Sequence, residues 1–370
     1  MKKLSISLAL ILGLGWSNLV CAGSVTPASQ IPAYYQSVDG QSGDNLWKSV
    51  NTVCLKGFST LTYKGLWTAY KTTDVYPQGH PDAGKIWDMY GECNFTYKND
   101  QCGTYHDECD CYNREHSIPK SWFGDTESGC GCDIFHLVPT DGKVNGMRSN
   151  NDFGEVKSAT YTYNGNKLGS SVSSIKVEEK TICTAAGGTV SASGTVFEPI
   201  DEYKGDFARG YFGTLVHWYS NYSFTSGNKM FSCNKNATKS NNYGLTAYGV
   251  ALLMKWHRED PVSQKEIDRN NGIQQTQGNR NPFIDYPFLV EYIWGKKAGE
   301  AVCLECMMPS TDASFIPGKS DGWKGQTSGW EVIPTDEDNM TPTEGKIIRN
   351  GQLIIIANGV EYNAFGQRIK

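Results

Sequence analysis

Apolar positions recur with helical spacing in several stretches of this chain and alternate or cluster briefly elsewhere. Residues 44–58 (DNLWKSVNTVCLKGF) carry Leu46, Val50, Val53 and Cys54 at loose helical intervals. In 206–219 (DFARGYFGTLVHWY), Phe207, Gly210, Tyr211, Leu215 and Trp218 share a face, which predicts an amphipathic helix. Another helix is expected over 246–258 (TAYGVALLMKWHR), ended by Asp260 and Pro261. Ser263 and Glu266 form a capping-box pattern that opens the next one. Gly278, Pro282 and Pro287 break it, and a short helix follows around 286–294.

The strand signals are shorter. From about residue 58 to 105 a Tyr- and Gly-rich stretch predicts loops and short strands. CDCYNREH (109–116) and CDIFHLVP (132–139) each suit a strand, separated by a loop at 117–131 with Pro119, Gly124, Gly129 and Gly131. Thr140 and Asp141 are good helix N-caps, so the order becomes strand, loop, strand, short helix. Residues 160–200, rich in Ser, Thr and Gly with alternating segments such as SSIKVEE, are expected as a surface excursion. Residues 307–344 are polar and predict a linker. In 345–370, Asn350-Gly351 and Asn358-Gly359 divide three apolar runs, the signature of a three-stranded meander.

Composition allows a globule with a real core, since 39% of the 370 residues are hydrophobic and 20% charged, and the mixed helix and strand signals make it α+β. Lys2 and Lys3, the apolar run Leu4 to Leu14, and Val20-Cys21-Ala22 form a secretory signal peptide cleaved after Ala22. The bulk of Val20 disfavours lipidation of Cys21. No later apolar run reaches the roughly 18 residues needed to cross a bilayer, so the mature chain is expected to be soluble. Eleven cysteines remain after Ala22, and export makes disulfides their default, with one thiol left over. Losing Lys2 and Lys3 takes the net charge from −5 to −7, which counts against a polyanion partner.

The chemistry concentrates at YNREHSIPKSWFG (112–124). Arg114, Glu115 and His116 stand together before an Ile-Pro step that ends regular structure. Neighbours on a strand point to opposite sides, so Glu115 and His116 are expected to share one cavity only where the strand is broken. On the following helix, Asn145 and Arg148 lie one turn apart on one face. A carboxylate and an amide oxygen suit a hard divalent cation, and a neutral imidazole beside them can deprotonate a water near neutral pH. An arginine can clamp a phosphate. These parts describe phosphodiester hydrolysis.

YNREHSIPKSWFG, DIFHLVPTDGKVNGMRSN and GNRNPFID, in that order, resemble the bacterial endonuclease I family, secreted nucleases of the ββα-metal (His-Me finger) class. The resemblance spans roughly residues 30–295. It implies a ββα-metal core embedded in a largely helical, loop-rich single domain over 23–306. It also implies a sequence-nonspecific DNA endonuclease, often active on RNA, that leaves 5′-phosphates. His116 would be the general base, Glu115 and Asn145 the metal ligands, and Arg148 would lie near the scissile phosphate. His136 and Arg280 match family positions and would support the site, though His136 equally suits a buried histidine bonded to backbone and Arg280 a brace for its Pro-rich turn; Arg114 is a further candidate for supporting the site or binding substrate. The implied cation is Mg²⁺, with Ca²⁺ or Mn²⁺ as alternatives, and a monomer is expected. The final meander resembles C-terminal tails read by the type IX secretion machinery of Bacteroidetes, which implies export to the cell surface or medium.

Other readings stand beside this one. The C-x-C pairs at 109–111 and 130–132 suit a structural zinc site, although export favours disulfides. If the strands pair across the 117–131 loop, Cys132 lies near His116 and too far from Cys111 for a bridge; Cys111 is then expected to pair with Cys102 or Cys93. Cys303 and Cys306 suit a local disulfide. Asp133 and Asp141 are expected as a strand-edge charge and a cap. For function, the alternative is a disulfide-stabilised extracellular binding module that has lost hydrolysis.

Overall fold

A computed structural model describes residues 24–325 apart from 125, 225–226 and 233–235, together with the backbone of three strands between 345 and 363. The signal peptide and the turns of the terminal meander lie outside the described residues. Helices α1 (Ile31–Tyr35), α2 (Gly43–Cys54) and α3 (Leu66–Thr73) precede an antiparallel pair, β1 (Tyr112–His116) and β2 (Leu137–Asp141), which runs straight into α4 (Gly142–Arg148). That is the expected ββα unit. Asp141 caps α4, its carboxylate accepting the Val144 N–H at 2.8 Å.

The chain then builds β3 (Asp152–Phe153), β4 (Val156–Tyr163), β5 (Asn166–Ser171), β6 (Ser174–Lys176), β7 (Thr189–Ser191) and β8 (Thr195–Glu198). Four of these form a sheet in the order β3-β8-β5-β4, and β6 pairs with β7. The expected surface excursion is therefore a sheet with one foot in the core. β4 is largely exposed, whereas Val196 and Phe197 of β8 are buried.

The second half is helical: α5 (Lys204–Trp218), α6 (Ala247–Glu259), α7 (Gln264–Gln277), α8 (Pro282–Asp285) and α9 (Leu289–Ile293). α7 opens with the Ser263/Glu266 capping box and ends at Gly278, whose φ of +88° suits a residue without Cβ. α5 is not the one-faced helix its pattern predicts. Every residue from Lys204 to His217 except Asp206 is buried, because α2, α6 and α8 pack around it while the ββα unit covers another side. Gly210 and Gly213 make that possible: a Cβ at Gly210 would lie 2.8 Å from the Phe135 carbonyl oxygen, and one at Gly213 2.6 Å from the Asn281 amide.

Residues 307–325, expected as linker, pack on the domain. Trp323 stacks on Phe288 at 4.5 Å, and Phe315 is buried with Val262, Ile267 and Ile284. Those two aromatic side chains supply apolar area that a polar composition hid. The terminal strands β9 (Gly345–Arg349), β10 (Gln352–Ala357) and β11 (Val360–Asn363) form the expected antiparallel meander.

The disulfides are Cys93–Cys109, Cys102–Cys111 and Cys303–Cys306. Cys102 is one of the two partners expected for Cys111. Cys93, Cys109 and Asp141 bring three potential ligand atoms within 4.8 Å of one another. Two of them are sulfurs bonded to each other, so no thiolate is present to hold a metal. Cys130 and Cys132 remain buried thiols; burial raises the first well above the ordinary range and the second to about 11. The zinc reading of the C-x-C pairs fails on both counts.

Candidate active site

β1 and β2 pair without a shift from Tyr112↔Asp141 to His116↔Leu137. The strand break therefore follows His116 instead of separating it from Glu115, and the two side chains leave β1 in different directions. Glu115 turns toward α4. Its Oε1 accepts from Arg148 Nη1 at 2.5 Å and from the Tyr90 hydroxyl at 2.8 Å. Among the described residues Oε2 has no hydrogen-bond partner. The His116 ring turns toward the tight turn at Gly129–Cys132, where its Nε2 lies 3.1 Å from the Gly131 carbonyl oxygen. What keeps the two together is Arg148, which also donates to the backbone carbonyls of His116 at 2.9 Å and Ser117 at 2.7 Å.

The second strand begins later than its sequence pattern suggests. Cys132 belongs to the 129–132 turn, and Leu137 is the residue opposite His116. The reason is Asp133, which is no strand-edge charge. It is fully buried, and its carboxylate accepts from His217 Nδ1 (2.6 Å), Trp218 Nε1 (2.7 Å), Gln277 Nε2 (2.9 Å) and the Phe135 N–H (2.9 Å). Those bonds pull residues 133–135 inward and delay strand pairing.

A carbonyl oxygen only accepts, so the bond to Gly131 puts the His116 proton on Nε2 and leaves Nδ1 as a lone-pair acceptor. Burial lowers the His116 pKa well below its ordinary value, helped by neighbouring His136 and the cations Lys120 and Arg114. The ring is neutral at neutral pH and suited to take a proton. Tyr63 lies against it, with ring centroids 5.8 Å apart and planes 26° from parallel.

The remaining candidate residues separate into two groups. Asn145 sits half-buried on α4 with its amide unbonded among the described residues, on the helix that Glu115 faces. Arg114, also half-buried, donates to the Tyr63 carbonyl at 2.7 Å. Arg148 is fully buried: desolvation opposes its charge, but the Glu115 carboxylate outweighs it and holds the guanidinium protonated. It has no surface for a phosphate, contrary to expectation. Arg280 is likewise fully buried, paired with both carboxylate oxygens of Asp285 at 2.7 Å, and braces the GNRNPFID turn. His136 is buried just before β2, its Nε2 2.8 Å from the Cys130 carbonyl oxygen, and does not open to the surface.

Sequence reasoning missed Tyr90 and Asp88. Asp88 is buried and gathers the backbone N–H groups of Tyr90, Cys93 and Asp141, which sets Tyr90 against Glu115. Burial raises its pKa to about 6 despite those bonds. Nothing in the local pattern of the Tyr- and Gly-rich stretch marks these two.

Comparison with known proteins identifies the family. The endonuclease I family model matches residues 43–288, which contain the whole ββα unit. The chain belongs to the endonuclease I family. It is 30% identical over 273 residues to an extracellular ribonuclease of Bacillus amyloliquefaciens, covering 73% of this chain and 81% of that one. An extracellular ribonuclease of Bacillus subtilis (strain 168) is 30% identical over 282 residues, 75% of this chain and 84% of its own. This endonuclease I family member is thus a nuclease, in a family that typically depends on a divalent metal. Among its described residues, no helix is long and apolar enough to cross a membrane.

Proposed function

We propose that this family member is an exported, sequence-nonspecific endonuclease that hydrolyses phosphodiester bonds of both DNA and RNA and leaves 5′-phosphates. The carrying observation is the His116 ring, with Nε2–H committed to the Gly131 carbonyl and Nδ1 left as the acceptor. In this reading Nδ1 takes the proton of the attacking water. The names of the Bacillus relatives bring RNA in beside DNA as substrate.

A divalent cation fits the residues present, because Glu115 Oε2 and the Asn145 amide oxygen are uncommitted hard donors on facing elements. Mg²⁺ is the ion we propose, and once bound it would polarise the phosphoryl oxygen and steady the departing alkoxide. Arg148 acts one step back: it fixes the Glu115 carboxylate against the end of β1 and so sets the position of Oε2 relative to His116. The N-terminal signal and the C-terminal meander support export, the meander as a sorting tail. A monomer suffices for every role assigned here.

The test uses the mature chain with supercoiled plasmid and with a structured RNA, in Mg²⁺ and in EDTA. Degradation of both polymers in Mg²⁺ and none in EDTA is expected. Binding without cleavage in Mg²⁺ is what the inactive binding module would give, and it would refute the enzyme reading.

A further inference from the structure

Six arginines have described side chains, and five of them face a carboxylate. Arg148 pairs with Glu115 (2.5 Å), Arg209 with Glu266 (2.6 Å), Arg258 with Glu291 (2.8 Å), Arg269 with Asp74 (2.7 Å) and Arg280 with Asp285 (2.7 Å). The sixth, Arg114, has no acidic partner among the described residues. Its guanidinium carbon lies 3.7 Å from the centre of the Tyr63 ring and 4.5 Å from that of Trp67. Nη1 donates to the Tyr63 carbonyl, Nε is buried without a partner among the described residues, and Nη2 makes no hydrogen bond among them. A half-buried charge held rigid with unspent donors costs free energy unless an anion completes it.

We infer that the missing anion is a substrate phosphate: Arg114 grips the phosphate next to the one being cleaved, which makes the substrate a polynucleotide and not an isolated phosphodiester. This rests on the nuclease reading above and adds the substrate contact to it. Arg114 and His116 are two apart on β1 and leave it on the same face, both against the Tyr63 ring. Two strand positions span about 7 Å, on the order of one nucleotide step. The planar Nη1/Nη2 edge of a guanidinium packed against aromatic rings is matched to two phosphate oxygens and loses little entropy on binding. Lys120 lies 5.4 Å from the same Tyr63 ring, but its ammonium is paired with Glu127 at 2.8 Å, so Arg114 carries the contact on that side. Arg114 puts one cation without a carboxylate partner among the described residues beside the base, so the overall net charge of −5 does not argue against a local polyanion contact.

The experiment compares wild type, Arg114→Ala and Arg114→Lys in Mg²⁺ on two substrates. One is a single-stranded oligonucleotide; the other is thymidine 5′-(p-nitrophenyl phosphate), a diester with no second phosphate. Arg114→Ala should lose about 10–100-fold more kcat/KM on the oligonucleotide than on the small ester, and the slope of log kcat/KM against log salt should fall by about 1. Arg114→Lys should restore the salt slope but not the full rate, since an ammonium cannot reproduce the fork. Equal losses on the two substrates by a folded variant, or an unchanged salt slope in Arg114→Ala, would overturn the inference. Should Arg114→Ala fail to fold, Arg114→Lys decides: a loss at least about threefold greater on the oligonucleotide supports it, and equal losses refute it. Wild-type protein that cuts neither substrate would refute the nuclease reading, and this contact with it.

Discussion

In the proposed mechanism three side chains and one carbonyl set the chemistry, and each has a distinct physical job. His116 is held as a neutral ring of one tautomer, Glu115 offers one free oxygen, and Arg148 locks that carboxylate to the end of β1. Arg148 and Glu115 are both almost fully buried, so removing the guanidinium strands an uncompensated carboxylate. Arg148→Ala should therefore destabilise the fold by about 3–5 kcal/mol, seen as a lower denaturant midpoint. A stable variant that merely binds substrate more weakly would instead restore the phosphate-contact role expected from the sequence. Glu115 and His116 stood out in the chain as candidates because an acid and an imidazole lie just before an Ile-Pro step. Tyr90 and Asp88 were not, since their importance comes from contacts with residues 25 and 53 positions away.

At the scale of elements, the ββα unit works because the turn at Gly129–Cys132 delivers carbonyls to two imidazoles, Gly131 to His116 and Cys130 to His136. Gly131 tolerates no side chain: a Cβ there would lie 2.0 Å from the Thr126 carbonyl oxygen, so the turn must shift. Gly131→Ala should lower kcat by about 10-fold or more through misalignment of the base, with the Mg²⁺ concentration for half-maximal activity little changed. Unaltered kcat would show that this carbonyl does not orient His116. The cap at Asp141 is a second lever. Its buried carboxylate also accepts the Cys109 N–H at 2.6 Å, so Asp141→Ala should cost about 2–3 kcal/mol in thermal or denaturant unfolding. Helical period located α5 to α7 well, because apolar stripes and the Ser263/Glu266 box are local signals. The start of β2 was misjudged because Asp133 spends its bonding on α5 and α7, partners no local window contains.

Across the whole molecule, Asp133 ties the ββα unit to the helical half through His217, Trp218 and Gln277. Burial alone would raise its pKa, but the His217 ring and the hydrogen bonds prevail and bring it down to about 2. The folded value lies below the unfolded one of about 3.9. Its contribution is thus complete above about pH 4 and disappears as pH falls toward 2, a loss of about 2–3 kcal/mol. Asp133→Asn should flatten that acid limb in urea melts at pH 2–5; an unchanged limb would mean that other carboxylates govern acid unfolding. The single-domain architecture was readable from composition and from motif order. The packing of residues 307–325 was not, because Phe315 and Trp323 sit isolated in a polar stretch and find their partners only in three dimensions.

The most direct measurement is the single-turnover cleavage rate of a nucleic-acid substrate in Mg²⁺ by His116→Ala, with and without added imidazole, after its melting temperature is matched to wild type. A fall of about 10²–10⁴-fold, partly reversed by imidazole, is the result expected if this ring takes the proton from water. A folded variant that cuts at the wild-type rate would contradict that role outright.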